Sequence, residues 1–96
     1  MSVYYIISYD IRDMEKFRKY PPLATALIQK HGGEVVAADL DALALEGAAK
    51  QMNALVKFPS VEQALACYRD PEYQEVAQIR FDSTLNCTLV LAKGIE

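Results

Sequence analysis

The strongest constraint on the fold comes from a run of β-branched and aromatic residues near the start of the chain, Val3–Tyr9. Residues of these types favour a strand. Alternation along a strand divides them into two faces, Val3, Tyr5, Ile7 and Tyr9 against Tyr4, Ile6 and Ser8. Both faces are largely apolar, so the run predicts a central strand that is covered on two sides.

An apolar stripe at spacings of three and four residues follows within Phe17–Ile28 and predicts a helix. Pro21 and Pro22 interrupt this stripe, and each lacks the amide donor that a helix interior needs. Because the stripe keeps its phase across the pair, we favour one bent helix over two unrelated helices. Gly32 and Gly33 end the helix, since glycine readily adopts the positive φ of a C-cap.

The middle of the chain reads as short strands separated by polar connections. Glu34–Ala38 and Leu43–Glu46 look like two strands joined by a turn at Asp39–Asp41. The sequence leaves open whether these segments form one hairpin arm or two short strands. Gly47–Asn53 is predicted to be a loop, and Ala54–Phe58 is the third main strand.

Capping signals predict that the second helical region has two pieces. Ser60 with Gln63 three residues later matches the capping box, and Asp70 followed by Pro71 is a second helix start. Asp13 is the corresponding N-cap candidate for the first helix. A final strand is predicted where four apolar residues alternate with Asn86, Thr88 and Val90, namely Leu85, Cys87, Leu89 and Leu91.

The element order is therefore strand, helix, strand, strand, helix, strand, in one domain of residues 1–96. Such a chain is predicted to be an α+β protein of ferredoxin-like type, with a four-stranded antiparallel sheet and both helices on one face. The other face carries Tyr4 and Ile6 and would expose an apolar patch. We therefore predict a homodimer with two-fold symmetry, in which two sheets pack face to face as a dimeric α/β barrel.

Charge and composition limit the partners that this chain can have. The formal net charge is -3, which disfavours binding to nucleic acid, and no basic amphipathic stretch suggests membrane binding. The start, MSVYYIISYDIRD, is too short and too polar for a signal peptide or a membrane span. Cys67 and Cys87 read as buried thiols rather than a disulfide. We expect a cytoplasmic protein.

Six short segments together resemble a known family: Ile11-x-Asp13, Phe17-x-x-Tyr20, His31-Gly32-Gly33, Leu45-Glu46-Gly47, Phe58-Pro59-Ser60 and Pro71-Glu72-Tyr73-Gln74. They resemble the domain-of-unknown-function 1330 family nearly from end to end. The resemblance implies the dimeric α/β-barrel fold and supports the homodimer. It implies no reaction. Cys67 stands where the family commonly has Trp, and the Pro21-Pro22 pair is unusual for the family, so the pocket of this chain is expected to differ in shape.

No cofactor or metal is expected. One histidine and scattered acids provide no grouped ligands at the spacing of zinc or iron sites. A P-loop and a G-x-G-x-x-G motif are both absent. Ser60 is the obvious candidate for a nucleophile, but its capping role already explains it.

Five residues remain as candidates for chemistry. His31 is the natural acid or base, although a histidine in the last helical turn also interacts well with the terminal carbonyls. Arg80 lies on the inner stripe of the last helix, where it either binds an anionic ligand or pairs with an acid such as Glu46 or Asp82. Glu46, beside Gly47, is a candidate catalytic acid or a turn residue.

Tyr20 and Tyr68 each fall on an apolar stripe. Tyr20 is a candidate catalytic residue and Tyr68 a candidate substrate-binding residue; alternatively, both are core residues whose hydroxyls each make one hydrogen bond. If Tyr20, His31, Tyr68 and Arg80 converge between helices and sheet, the site suits a small acidic or phenolic molecule. Arg80 would hold the anion, and His31 or Tyr20 would move a proton.

Two classes of function follow from these residues. The first is a metal-independent enzyme or binder that takes a small organic acid in a pocket between sheet and helices. The second is a non-catalytic module for ligand sensing or dimeric interaction. Fold relatives include cofactor-independent monooxygenases, but a fold hosts many functions.

Overall fold

The computed structural model describes residues 1–96. It contains four strands, β1 (Val3–Ile11), β2 (Glu34–Asp39), β3 (Met52–Phe58) and β4 (Thr84–Lys93). The helices are α1 (Met14–Phe17), α2 (Tyr20–Lys30), α3 (Val61–Arg69) and α4 (Pro71–Ser83). The strands form one antiparallel sheet in the order β2-β3-β1-β4. The predicted α+β, ferredoxin-like architecture is confirmed, and the molecule is a slab only 17 Å thick.

The strand β1 lies in the centre of the sheet, as its sequence predicts. Its partners are β3 on one side and β4 on the other. Each of the three strand pairings joins a strand that precedes residue 40 to a strand that follows residue 51. The four residues of β1 that face the helices are buried: Val3, Tyr5, Ile7 and Tyr9. They form the core with facing residues of β3 and with the inner sides of the helices.

The predicted helix caps are present as hydrogen bonds. Asp13 accepts from the backbone N–H of Lys16, and Ser60 accepts from that of Gln63. Asp70 caps α4 by accepting from the N–H of Glu72 at 2.9 Å. Each cap satisfies a backbone donor that the helix itself leaves free. These local signals therefore fix where three of the four helices begin.

The first helical region is split, so the expectation of a single bent helix is wrong. α1 ends at Phe17, and α2 begins at Tyr20 with Pro21 and Pro22 in its first turn. A proline in the first turn costs no hydrogen bond, because the amides there have no intrahelical acceptor. The two prolines therefore start a helix rather than bend one.

The loop between β2 and β3 also differs from the expectation. Leu43–Glu46 is not a strand; Leu43 and Leu45 are 84% and 86% exposed in an irregular segment. β3 begins at Met52, inside the predicted loop, because Met52 pairs with Tyr9 and is buried in the core. One long irregular loop thus connects the two strands.

A β-bulge in β4 changes the predicted alternation of the last strand. Between Ser8 and Asp10 of β1 the register with β4 shifts by one residue, and Asn86 adopts a φ of 57°. Asn tolerates this left-handed conformation better than most residues. Leu85 is consequently exposed instead of sharing the inward face, and the neighbouring Thr84 is buried.

The face of the sheet away from the helices carries apolar side chains with no covering layer. Ile6 and Val90 are 47% and 53% exposed, and Tyr4 and Leu55 are half-buried beside them. Pairing places Ile6 between Leu55 and Val90 on neighbouring strands, so these residues form one continuous patch. We call Tyr4, Ile6, Leu55 and Val90 the open-face patch.

Both cysteines are free, as expected. Cys67 is fully buried and Cys87 is half-buried. Burial raises the pKa of Cys67 to about 11, so its thiol stays protonated at neutral pH. No helix has both the length and the apolar character that crossing a membrane requires.

Candidate functional site

Three polar side chains meet where the start of α2 lies against α4. The hydroxyls of Tyr20 and Tyr73 are 3.0 Å apart. Nη1 of Arg80 donates to the Tyr20 hydroxyl oxygen at 3.3 Å. All three side chains are buried, with exposed fractions of 7% or less. We call Tyr20, Tyr73 and Arg80 the Arg80 cluster.

The charge of Arg80 has no counter-ion inside the protein. Its side chain is 1% exposed, and no carboxylate lies within 4.0 Å of its guanidinium. Its Nε is buried without a hydrogen-bond acceptor. The interpretation of Arg80 as the partner of Glu46 or Asp82 is therefore wrong. The side chain of Asp82 instead accepts from Gln78.

Aromatic rings supply part of the environment that a carboxylate would otherwise provide. Cζ of Arg80 lies 5.5 Å from the ring centroid of Tyr20 and 5.0 Å from that of Phe81. Contacts of this kind stabilise a desolvated cation by about 2 kcal/mol. Removing an arginine from water without a paired charge costs several kcal/mol. The rings compensate only part of that cost, so the cluster keeps an unmatched positive charge.

An apolar cavity lies next to the Arg80 cluster, between α2 and the sheet. Tyr20 is one of its walls, and Tyr9 and Phe17 extend that wall toward β1. The ring of Phe17 packs against Tyr9 at 5.6 Å and against Tyr20 at 5.9 Å. The β4 bulge lies directly opposite Tyr9 in the sheet. Bulges often change the direction of a side chain beside a functional site.

The tyrosines of this region stay protonated at neutral pH. Burial raises the pKa of Tyr20 above its ordinary value, although the charge of Arg80 lowers it in part. Burial likewise raises the pKa of Tyr9 and of Tyr73. A neutral phenol donates one hydrogen bond and accepts others. Tyr20 is therefore suited to donate to a ligand oxygen and poorly suited to act as a base.

His31 lies at the other end of α2, about 16 Å from Tyr20 along the helix axis. It is the C-cap residue of α2, and Gly32 follows with the predicted positive φ of 81°. Its Nε2 lies 2.8 Å from Oδ2 of Asp70, and Lys30 is a second partner of the same oxygen at 3.3 Å. We call His31, Lys30 and Asp70 the Asp70 cluster.

The Asp70 cluster is electrostatically satisfied. A carboxylate only accepts, so Nε2–H of His31 donates to Asp70. The hydrogen bond from His31, followed by the one from the backbone N–H of Glu72, lowers the pKa of Asp70 to about 2. This aspartate joins the end of α2 to the start of α4, which gives His31 a structural role.

The remaining two candidates occupy different places. Tyr68 is half-buried, with its ring 5.9 Å from that of Tyr73, so it borders the Arg80 cluster. Glu46 is exposed in the loop between β2 and β3. The structure therefore brings Tyr20, Tyr68 and Arg80 into one neighbourhood and leaves His31 and Glu46 outside it. The convergence of His31 with the other three does not occur.

Two important residues were not among the sequence candidates. Tyr73 supplies the second hydroxyl of the Arg80 cluster, and it lies on the same helical face as Arg80, seven residues earlier. That spacing was the available signal. Asp70 was identified only as a helix cap, because nothing in the sequence shows that His31 lies beside it.

No group of three or more histidine, cysteine, aspartate or glutamate side chains is arranged to hold a metal ion. The polar groups around the cavity are hydroxyls backed by one guanidinium. Such groups bind oxygen atoms of a ligand, because they donate hydrogen bonds and carry positive charge.

The sheet order, the crossovers and the single helical layer define a ferredoxin-like α+β protein. The chain belongs to the family described as Domain of unknown function (DUF1330), whose model matches residues 2–95. The resemblance of the six short segments is thereby confirmed. No curated protein sequence matches the chain.

Solved structures with the same fold have low sequence identity to this chain. A protein of unknown function from Rhodopseudomonas palustris is 19% identical with a TM-score of 0.82, covering 99% of this chain and 83% of its own. SnoaB, a cofactor-independent oxygenase from Streptomyces nogalater, is 10% identical with a TM-score of 0.70, covering 99% and 94%. A dimeric ferredoxin-like protein of unknown function from Bacteroides fragilis is 14% identical with a TM-score of 0.61, covering 97% and 96%.

Proposed function

We propose that this protein binds a small organic acid between its helices and its sheet, with Tyr20 as the contact and Arg80 as the source of charge. The observation that carries this proposal is the buried, unpaired guanidinium of Arg80. An arginine kept in the interior without a carboxylate lowers its free energy when an anion comes close. An acid bound beside Tyr20 supplies that anion.

The hydrogen-bond directions in the Arg80 cluster support the same ligand. The Tyr20 oxygen accepts from Arg80 and has a second lone pair for the hydroxyl of Tyr73. When Tyr73 donates, the hydroxyl hydrogen of Tyr20 is free for a ligand oxygen. A phenol that already accepts from a cation is a stronger donor, because neighbouring hydrogen bonds polarise one another. The charge of Arg80 therefore makes the Tyr20 hydroxyl a stronger hydrogen-bond donor to a ligand in the cavity that Tyr20 lines.

Non-catalytic binding is the form of this function that the geometry supports best. Acid–base catalysis at neutral pH is most efficient when a group with a pKa near the operating pH reaches the ligand. Burial raises the pKa values of Tyr20 and Tyr73, and His31 is bonded to Asp70 at the far end of α2. These features favour a ligand-sensing or carrier role over proton transfer by Tyr20, His31 or Glu46.

A metal-independent enzyme is the second candidate, and one comparison favours it. SnoaB shares the fold and is described as a cofactor-independent oxygenase. Incubation of the protein with the bound acid or phenol in an oxygen electrode separates the two candidates. Oxygen consumption would establish the enzyme if the product has gained both oxygen atoms, or has gained one oxygen atom and lost two hydrogen atoms to the water that takes the other; an unchanged ligand supports the binder.

Isothermal titration of Arg80→Met and of the wild type with benzoate tests the proposed site. Methionine removes the charge and keeps much of the volume, so we expect binding to fall at least tenfold. Arg69→Met is the matched control, because Arg69 is exposed on α3. Equal affinity of the wild type and Arg80→Met for benzoate would exclude Arg80 as the source of charge for the bound acid. Absence of binding to every small carboxylate in the wild type would overturn the function itself.

We further propose that the protein acts as a homodimer in which two open-face patches pack together. The patch is apolar and continuous, and relatives of this fold from two organisms are described as dimeric. Soluble proteins rarely leave an apolar patch of this kind uncovered. A second copy covers it by two-fold symmetry, with the helices on the outside.

A pair of lysine substitutions tests the dimer. Ile6 on the open face and Leu23 on α2 are each 47% exposed, so Ile6→Lys and Leu23→Lys differ in location and not in exposure. Native mass spectrometry should give a monomer for Ile6→Lys and a dimer for Leu23→Lys and for the wild type. A monomeric wild type, or a dimer that survives Ile6→Lys, would contradict the proposal.

A further inference from the structure

The cavity beside Tyr20 has a volume of about 80 Å³ and lies between α2 and the sheet. Of its 13 lining residues 11 are hydrophobic, and none is charged. Apart from the tyrosines Tyr9 and Tyr20, Thr25 is the one lining residue with a hydroxyl. A ligand in this cavity therefore finds polar partners mainly at the tyrosine wall and apolar contacts elsewhere.

The distribution of polar groups orients any acid that enters. A carboxylate placed among apolar side chains without a partner has a high desolvation cost. The end of the cavity at Tyr20 is next to the unmatched charge of Arg80, which offsets that cost. The opposite side, formed by residues such as Ile28 and Val56, accepts only an apolar group. The acid group thus faces Tyr20, and the rest of the ligand faces the aliphatic side chains.

The cavity volume limits the size of the apolar part. An enclosed apolar cavity of about 150 Å³ in another protein binds benzene. The present cavity is smaller, but it adjoins Val35 and Ala38 of the edge strand β2, which are exposed and leave that side open to solvent. A single six-membered ring fits if it extends slightly into this opening. A fused two-ring system does not fit without displacing α2 from the sheet.

We propose that the ligand is a carboxylic acid with one compact ring, held with its carboxylate at Tyr20 and its ring among the aliphatic residues under α2. This inference rests on the proposed acid-binding function and names the substrate class of the same site. Tyr9 and Phe17 contribute ring faces and edges to the cavity wall, which suit a flat ring in a tilted arrangement.

Four carboxylates of graded size test the class of ligand by isothermal titration with the wild-type protein. Benzoate and cyclohexanecarboxylate each carry one ring, acetate carries none, and 2-naphthoate carries two. We expect the two single-ring acids to bind at least tenfold more tightly than acetate and 2-naphthoate. Equal affinity for all four acids would overturn the size limit and leave acid binding beside Tyr20 intact. No binding of any acid would instead overturn the proposed function.

Substitutions in the cavity wall provide an independent test. Ala38→Leu fills the open side of the cavity from an exposed position on β2, so it leaves the core unchanged. We expect benzoate affinity to fall at least tenfold in Ala38→Leu and to stay unchanged in Ala66→Leu, the same substitution at an exposed position of α3. Ala54→Val adds volume to the cavity wall from β3 and should also lower the affinity for benzoate. Benzoate binding that survives both Ala38→Leu and Ala54→Val would place the ring elsewhere.

Discussion

The two ends of α2 hold charged side chains in opposite ways. At its start, Arg80 is buried with one hydrogen bond to Tyr20 and no carboxylate nearby. At its end, Asp70 accepts from both His31 and Lys30 and caps α4 as well. One end has a cation without an anion, and the other has an anion with two basic partners.

This difference distinguishes the end of α2 that stabilises the fold from the end that is a candidate for ligand binding. The Asp70 cluster is partly exposed, its charges are matched, and each hydrogen bond joins one helix to another. It needs no ligand to explain it. The Arg80 cluster is buried, and its positive charge has no counter-ion. A buried charge of this kind lowers the stability of the folded protein. The unmatched end is therefore the better candidate for a binding site, although it contains no group that titrates near neutrality.

The largest expected effect comes from removing the hydroxyl that Arg80 uses. Tyr20→Phe leaves Nη1 of a buried guanidinium without its acceptor, so we expect a loss of about 2–3 kcal/mol in the free energy of unfolding. Tyr73→Phe removes the bond between the two hydroxyls but keeps the bond from Arg80, and should cost about 1 kcal/mol. Urea denaturation of both variants measures the difference. Equal losses would mean that Arg80 does not depend on Tyr20.

In the absence of ligand, Arg80→Met should not lower the free energy of unfolding, in contrast to Tyr20→Phe. Methionine is apolar and flexible enough to fill much of the same space, and the desolvation cost of the charge disappears. We expect the free energy of unfolding to rise by about 1 kcal/mol or to stay constant. A loss above about 2 kcal/mol would show that the guanidinium is stabilised by its aromatic contacts, and the contrast between the two ends would fail.

Acid titration tests the matched end. The pKa of Asp70 is lowered to about 2, below its ordinary value of 3.8, so its contribution to stability is complete above pH 4. That contribution disappears as the pH falls from about 4 to about 2. The stability difference between the wild type and Asp70→Asn should therefore shrink over this range in thermal melts. A difference that stays constant with pH would mean that the Asp70 charge does not contribute.

The smallest effect is expected for Lys30→Met. The Lys30 side chain is 57% exposed, and its contacts with Asp70 and Glu72 are at 3.3 and 3.7 Å. Solvent and salt screen exposed pairs of this kind, so the melting temperature should hardly change. A clear fall in the melting temperature at low salt that vanishes at high salt would mean that Lys30 stabilises this end more than His31 does.

Much of the fold could be predicted because its signals are local. As helix caps, Asp13, Ser60 and Asp70 accept from backbone N–H groups within three residues of their own positions. The two-sided apolar pattern of β1 indicates its central place in the sheet. The exposed segment Leu43–Glu46 was misread because alternating leucines predict a strand even where no partner strand is available. Strand formation depends on that partner as much as on the residues themselves.

The site was less predictable because its contacts join distant parts of the chain. Arg80 was identified from its place on the inner stripe of α4, but its missing counter-ion is visible only when every neighbour is known. Tyr20 and Tyr73 are 53 residues apart, and His31 and Asp70 are 39 apart. No spacing rule connects such pairs. Glu46 is a candidate because it ends a predicted strand beside Gly47, but that strand does not form and Glu46 lies exposed in the loop.

The strand pairings have a consequence for how the chain folds. β1 and β2 come from the first half of the chain and β3 and β4 from the second, yet every ladder joins one half to the other. Neither half contains two strands that are neighbours in the sheet. Folding therefore requires contacts of long sequence separation before any sheet exists, which slows it relative to a helical bundle of the same size.

The same pairings make the halves mutually dependent fragments. Gly47 lies in the exposed loop between them, close to the exposed Leu43 and Leu45, so a break in the backbone there removes few packing contacts. Residues 1–46 and 47–96, produced as separate peptides, should each lack a sheet and regain it on mixing. The two halves thus behave as binding partners, and the loop that joins them keeps each half at a high effective concentration near the other.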